Sequence, residues 1–149
     1  MACGSPSNEP DTIDDVPPDA AVALDAPAVD AAPTDCDEAA QHADFTWIQD
    51  HILTPSCATA LCHTGATAQV DLRLDAGEAY ANLVGKGAST VTGWVRVVPG
   101  SPATSYLVVA LGRADGPPPR DGFMPLAADP LCAEKLDAVE RWILAGAMP

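Results

Sequence analysis

All seven aromatic residues of this 149-residue chain lie after position 44, and this asymmetry limits folding to the C-terminal part of the sequence. Residues 1–44 contain eleven acidic residues, eleven Ala and six Pro, and neither Lys nor Arg. A segment without large side chains to bury cannot offset the entropy that ordering it costs, and proline with like-charge repulsion keeps it extended. We therefore predict a disordered acidic tether over 1–44 and one domain over 45–149.

The net charge of the chain divides at the same boundary. The tether carries −11, whereas residues 45–149 hold ten acidic and seven basic residues, a net charge of −3. A nucleic-acid binder is excluded, because no basic patch is present to displace counterions from phosphates. A basic membrane-surface helix and a membrane-spanning apolar run are also missing. An acidic arm that docks on a basic partner is the alternative to a plain tether.

Cys3 stands at the start of the tether and is followed by Gly4 and Ser5. A Cys followed by small residues and a low-complexity spacer is typical of a mature bacterial lipoprotein. Only Met1 and Ala2 precede it, so the hydrophobic run of a signal peptide is missing from the sequence. We expect an exported protein, held in the periplasm or at the cell envelope by a lipid on this cysteine. The alternative is an ordinary exposed thiol.

The domain is predicted to be mostly α, with short helices joined by loops rich in Gly and Pro. Apolar residues recur on one helical face from Phe45 to Leu53, and Asp44 can cap the start of this helix. Three further helices, each followed by glycine, are predicted at Ala76–Val84, Pro102–Leu111 and Ala133–Ala145. The 93–98 stretch is predicted to be extended. A small domain with long loops needs additional staples.

The cysteines after the first divide into a close pair and a distant pair. Cys57 and Cys62 precede His63 and are expected to act together. With the N-terminal cysteine assigned to a lipid, we predict a disulfide between Cys36 and Cys132, the alternative being two free thiols. Such a bridge closes a loop of roughly 95 residues, which stabilises by several kcal/mol in the chain-entropy model. It requires an oxidising compartment, in agreement with export.

Cys57, Cys62 and His63 form a Cys-x4-Cys-His motif. Attachment of a c-type haem uses two thiols, which add to vinyl groups on one edge of the macrocycle, and a His directly after the second Cys. Four residues separate the thiols here instead of the usual two, and the small side chains at 58–60 allow the extra pair to bulge outward. A local disulfide and a zinc site are the alternatives, although zinc lacks a fourth ligand.

Met124 is the predicted second axial ligand. It follows His63 by 61 residues, and a low-spin electron carrier commonly uses Met in that position. Pro125 fixes its own φ and biases the preceding residue to an extended conformation, which presents the side chain from a loop. The alternatives are a Met that fills a core gap and His51 as the ligand, although a His in the first helix is more often a surface residue.

The order of these parts resembles class I cytochrome c: a helix, the Cys and His motif, loops with short helices, a Met-Pro loop and a terminal helix with an aromatic residue. More narrowly, it is similar to cytochrome c-like domains of exported lipoproteins in myxobacteria and planctomycetes. The likeness covers about residues 45–147. It is carried by Ile52-Leu53, Cys57…Cys62-His63, Val70-Asp71-Leu72, 79–84, 96–102, Ser105-Tyr106-Leu107, Met124-Pro125, Pro130-Leu131, Trp142-Ile143 and Gly146-Ala147.

The resemblance implies a small class I cytochrome c-like helical fold with long loops and one haem c. Cys57 and Cys62 would be its thioether sites, His63 the proximal iron ligand and Met124 the distal one.

Two further residues are expected at this cofactor. Arg96 would pair with a haem propionate through a charge-assisted bond, and a surface position is its alternative. Trp142 would contact the macrocycle, and a plain core position is its alternative.

These features together predict an electron carrier rather than a catalyst. No Ser/His/Asp or paired-carboxylate constellation stands out, so the sequence does not favour a hydrolase. The predicted function is electron transfer by an exported monohaem c-type cytochrome, with a redox partner that the sequence does not identify. One alternative is a non-haem, disulfide-stabilised lipoprotein module with a cytochrome-like fold and a binding or structural role. The other is a haem enzyme with an open sixth position.

Overall fold

Helices are the regular elements of the computed structural model, which describes residues 34–126 and 128–149. In chain order the α-helices are α1 (Asp35–Ala39), α2 (Phe45–Ile48), α3 (Thr54–Ser56), α4 (Ala79–Leu83), α5 (Tyr106–Ala110) and α6 (Ala133–Leu144). A π-helical segment, Gln49–Leu53, joins α2 to α3, and 3₁₀ turns occupy Gln69–Asp71 and Pro102–Thr104. The described residues contain isolated β-bridges but no strand. The predicted mostly-α class is therefore confirmed.

Helix α1 lies within the stretch that composition assigns to the tether. Thr34 and Asp37 form a capping box, in which each side chain accepts a hydrogen bond from the other residue's backbone N–H. Ala39 is fully buried, and Arg141 of α6 donates to its carbonyl oxygen at 2.6 Å. Residues 34–44 of the predicted tether therefore pack with the domain, because α1 contacts α6. The rest of the predicted tether and Cys3 lie outside the described residues.

Helix α2 starts where the sequence predicts. The Asp44 carboxylate accepts a hydrogen bond from the Trp47 backbone N–H at 2.8 Å, which satisfies a free donor of the first turn. The helical backbone continues past the predicted end at residue 53, through the π-helical segment and α3 to Ser56. Pro55 lies in the first turn of α3, where its missing N–H is tolerated.

The middle helices are shorter than predicted. Helix α4 covers only part of Ala76–Val84, and the prediction over Pro102–Leu111 divides at Ser105 into a 3₁₀ turn and α5. The buried Ser105 hydroxyl accepts from the Val98 N–H at 2.9 Å and donates to the Ser101 carbonyl at 2.8 Å. These bonds join the segment to its neighbouring loop, so tertiary contacts interrupt the helix. The Ser101 side chain forms no capping hydrogen bond with the 3₁₀ turn that follows it.

The predicted extended stretch 93–98 forms single bridges. Val97 pairs with Val84, and Val95 pairs with Gly87 and with Ser105. The stretch therefore connects the end of α4 to the start of α5 without forming a sheet.

Helix α6 supplies the longest buried face of the domain. The apolar stripe on its inner face includes Val139, Trp142 and Ile143, which are at most 1 % exposed. Gly146 follows the helix with φ 104°, in the left-handed region that glycine favours. The stripe packs into a core that includes Ile48, Ile52, Leu53, Leu74, Leu83, Val97 and Val108. No described helix has the length and apolar character needed to cross a membrane.

The predicted disulfide between Cys36 and Cys132 is present, with 6.2 Å between the Cα atoms. It joins α1 to the residue that precedes the first turn of α6. Lys135 adds a second connection, because its ammonium donates to the His51 carbonyl at 2.8 Å and to the Asp35 carboxylate at 3.3 Å. Helices α1 and α6 and the π-helical segment are thereby held together.

Candidate cofactor-binding site

A cavity of about 210 Å³ brings together loops that are far apart in sequence. Four of the six predicted site residues line it: Cys57, His63, Arg96 and Met124. Most of the remaining wall is apolar and is formed by Val70, Leu72, Leu74, Leu83, Ala88, Tyr106, Leu107, Ala110, Leu111 and Pro119. An apolar cleft with a few convergent polar groups has the character of a cofactor or ligand site.

The His63 imidazole is held by the backbone in one tautomer. Its Nδ1 lies 3.1 Å from the Leu72 carbonyl oxygen, so the Nδ1 proton donates there and Nε2 keeps its lone pair. The residue is only 8 % exposed, and this burial lowers the pKa of His63 from its ordinary value of 6.5. A neutral ring with a free Nε2 is the form that binds a metal ion.

The loop that presents His63 closes on its own backbone. The His63 N–H donates to the Cys57 carbonyl at 3.1 Å, and the Cys62 N–H donates to the Thr59 carbonyl at 3.0 Å. Leu61 adopts a left-handed conformation with φ 71° and is 86 % exposed. Thr59, Ala60 and Leu61 are thus exposed between the two thiols, whereas Ala58 is half-buried and packs against the core.

The two thiols of the motif have different surroundings. Cys57 lines the cavity, whereas Cys62 is half-buried and is not among the described lining residues. Burial and the neighbouring Cys62 raise the pKa of Cys57 to about 11, so this thiol is protonated at neutral pH. Both thiols are free, so the local disulfide that the sequence allows is not formed.

The possible metal-ligand clusters of the described residues lie away from the motif. Donor atoms within 4.8 Å of one another occur at Asp35, Glu38 and His51, and at the disulfide beside Glu134. The Asp35 carboxylate is already paired with His51 and Lys135. The geometry therefore does not favour the zinc alternative at the Cys-x4-Cys-His motif.

Arg96 is buried rather than on the surface. Its Nη1 donates to the Asn82 carbonyl at 2.9 Å, and its Nη2 donates to the carbonyls of Asp71 at 2.9 Å and Val70 at 3.2 Å. Within the described residues no carboxylate lies within 4.0 Å of the guanidinium. Burial lowers the pKa of Arg96, which still stays charged at neutral pH. The cavity thus has a cation in its wall that suits an anionic ligand group.

Met124 reaches the cavity from the loop that follows α5. Its backbone N–H donates to the Ala110 carbonyl at 2.8 Å, which fixes this loop to the last residue of α5. The side chain is half-buried and lines the same cavity as His63. A thioether and an imidazole with a free lone pair therefore share one apolar cleft.

Trp142 lies in the core and is not among the described residues that line the cavity. Its indole N–H donates to the Met148 carbonyl at 2.7 Å, and its ring packs on Phe45 with 5.1 Å between centroids. The structure thus places it in its alternative, structural position. His51, the other candidate ligand, stacks on Trp47 at 4.7 Å between centroids.

Several lining residues were not predicted as site residues. Ser89 and Thr90 come from one loop, and Arg120 and Asp121 come from the Pro-rich loop before Met124. Neither loop has a sequence period or motif. Residues in such irregular segments are brought together only by tertiary packing. No pattern in the sequence indicates them.

The donor groups of the cavity are of the kinds that hold a haem, but the cavity is smaller than such a cofactor needs. The imidazole, thioether and thiols are the ligand and attachment groups of c-type haems, and the apolar walls suit a porphyrin. The cavity of about 210 Å³ is smaller than the ~300–1,000 Å³ of ordinary cofactor sites. A porphyrin would therefore enter only with outward displacement of a wall.

Comparisons of the chain with protein-family models, curated proteins and solved structures find no match. Any function must therefore be inferred from the residues of the cavity and from their arrangement.

Proposed function

We propose that this chain is an electron-transfer protein of the c-type cytochrome class that binds one haem in the cavity beside His63. One observation carries the proposal: Met124, 61 residues further along the chain, lines the same cavity as His63 and Cys57. Local sequence does not bring these groups together. Their convergence on an apolar cleft supports a site that binds an iron-containing, largely apolar cofactor.

Each residue of the cavity has a defined part in this proposal. When bound, haem supplies a one-electron couple between ferric and ferrous iron. His63 would hold the iron through Nε2, because its Nδ1 proton is engaged by the Leu72 carbonyl. Met124 would hold the iron through its thioether, and Met ligation would raise the reduction potential relative to bis-His ligation.

The remaining groups hold and shield the cofactor. Cys57 and Cys62 are the proposed attachment sites, and the Cys57 thiol already lines the cavity. The Arg96 guanidinium is proposed to pair with a carboxylate of the ligand, because no carboxylate among the described residues lies within 4.0 Å of it. The leucine-rich wall would limit the access of water to a bound haem, and a hydrophobic shell controls the reduction potential of such a site.

The cellular location is proposed on separate grounds. The Cys36–Cys132 disulfide requires an oxidising compartment, which supports export to the periplasm or the cell envelope. A lipid on Cys3 would hold the protein at a membrane, and the acidic tether after Cys3 would connect this anchor to the domain. No partner protein is proposed, because the mild charge of residues 45–149 does not define a docking face.

The test is to export the full chain in a host that matures c-type cytochromes and to measure the haem that stays bound. We expect a red protein whose haem remains attached after acid-acetone extraction and is quantified as its pyridine haemochrome. Replacing His63 by Ala is expected to abolish this haem. The surface variant His51→Ala is the matched control and is expected to retain it.

One outcome would replace the proposal. A folded, colourless protein with Cys57 and Cys62 oxidised to a disulfide, detected by mass spectrometry, would instead indicate the non-haem module with a binding or structural role.

A further inference from the structure

Two consecutive residues beside the His63 loop adopt a left-handed backbone. Val70 has φ 53° and Asp71 has φ 51°. This region is unfavourable for non-glycine residues, and most of all for a β-branched one such as Val. The turn therefore persists only where surrounding contacts hold it.

The next residue after this turn controls the imidazole. Leu72 returns to an extended conformation, with φ −118° and ψ 103°, and its carbonyl accepts the His63 Nδ1 proton at 3.1 Å. The direction of that carbonyl depends on the backbone just before it. The left-handed turn therefore sets the direction of the Leu72 carbonyl that engages Nδ1.

Arg96 is the side chain that holds the turn. Its Nη2 donates to the carbonyls of both left-handed residues, at 3.2 Å for Val70 and 2.9 Å for Asp71. The Ser89 hydroxyl also donates to the Val70 carbonyl. Arg96 Nη1 anchors the guanidinium to the Asn82 carbonyl in α4 at 2.9 Å. A planar fork can serve several carbonyls at once, which a single ammonium cannot do in the same way.

We infer that Arg96 is a positioning residue for His63: its guanidinium holds the left-handed turn and thereby aims the Leu72 carbonyl at Nδ1, which leaves the Nε2 lone pair available in a residue that lines the cavity. This role deepens the proposed function and rests on it only for the use of Nε2. It is distinct from pairing with a ligand carboxylate, because it depends on the bonds from the guanidinium to the Val70 and Asp71 carbonyls.

The test measures the imidazole in the ligand-free full chain by long-range ¹H–¹⁵N NMR. The unmodified protein is expected to show the Nδ1–H tautomer of His63 with slow proton exchange. In Arg96→Met we expect a mixture of tautomers and Nδ1–H exchange faster by about tenfold, as for the loss of one hydrogen bond. Arg96→Lys keeps the charge but not the fork, and we expect it to lose the single tautomer as well.

A rescue variant separates this role from a general effect on folding. Val70→Gly removes the penalty of the left-handed conformation, so the double variant Arg96→Met/Val70→Gly is expected to recover the Nδ1–H tautomer. Ser89→Ala removes a weaker support of the turn and is expected to give a smaller change in the same direction, even if Arg96→Met fails to fold. Arg73→Met removes a surface ion pair with Glu78 on the same segment and is the control that should change nothing.

Two results would overturn the inference. One is a folded Arg96→Met protein with the unchanged tautomer and exchange rate, and the other is a Ser89→Ala protein without any change. A lack of haem in the exported protein would refute the proposed function alone, because the NMR measurement uses no haem.

Discussion

Cys36 and Cys132 join helix α1 to the start of helix α6 across a sequence separation of 96 residues. Replacing both by Ala is expected to lower the free energy of unfolding by about 2–5 kcal/mol. The unfolded chain then regains the freedom of a long loop, and α1 loses its covalent connection to α6. Urea unfolding followed by tryptophan fluorescence measures the change.

Reducing agent supplies the control for this variant. It should lower the unfolding midpoint of the unmodified protein and leave the midpoint of the double variant unchanged. Equal midpoints for both proteins under oxidising conditions would contradict the prediction.

Met124 lines the cavity beside His63, and its thioether is the group proposed for iron. Met124→Leu keeps the volume and removes the sulfur. In the haem-loaded protein we expect this change to lower the reduction potential and to abolish the optical band of Met–iron ligation in the ferric state, as the family resemblance implies. Spectroelectrochemistry measures both.

The exposed Met148 offers a matched control, because Met148→Leu makes the same chemical change away from the cavity. Its potential and spectrum should equal those of the unmodified protein. Persistence of the Met band in Met124→Leu would assign the ligand to another residue.

The Cys57 thiol is stabilised in its neutral form, because burial raises its pKa from 9.0 to about 11. Its contribution to stability is therefore complete below about pH 9 and is lost as the pH rises through about 11. At neutral pH the folded protein has about a hundredfold less thiolate at this residue than the unfolded chain, so alkylation is expected to be slower by about that factor. Iodoacetamide labelling with peptide mass spectrometry measures the rate.

The same labelling in denaturant provides the reference rate for Cys57. An equal rate in the folded and denatured protein would show that the thiol is accessible and ionises normally.

Gly116 packs so closely against its neighbours that a side chain would clash with them. A Cβ there would lie 2.9 Å and 3.1 Å from the two methyl groups of Val109 and 3.0 Å from the Trp94 ring. Val109 is only 1 % exposed and has little space to retreat. Gly116→Ala is therefore expected to destabilise the fold by about 1–3 kcal/mol, measured by urea unfolding.

Gly87 is the matched control, because a Cβ there meets its nearest atom, the Trp94 carbonyl oxygen, at 3.9 Å. Gly87→Ala should change the free energy of unfolding by less than about 0.5 kcal/mol. Similar losses for the two variants would indicate a general cost of replacing glycine rather than a steric clash.

Local patterns account for the elements that the sequence predicts correctly. The periodic apolar stripe of α6 and the Asp44 cap of α2 depend on residues within a few positions of one another, so sequence reveals them. The Cys36–Cys132 pairing was predicted because the other three cysteines were assigned elsewhere, Cys3 to a lipid and Cys57 and Cys62 to the motif. Helix α1 was missed because its short, acidic sequence has no stripe of its own, and the buried Ala39 needs α6 to cover it.

The sequence by itself determined the helical class, the Cys-x4-Cys-His motif and the candidate ligands, because these follow from residue type and short-range spacing. Only the tertiary structure decided that His63, Arg96 and Met124 share a cavity while Trp142 lies in the core. Residues from separate loops meet through long-range packing, which leaves no period in the chain. The orientation of the imidazole depends in the same way on a backbone turn whose strain is offset by a side chain 25 residues away from Asp71.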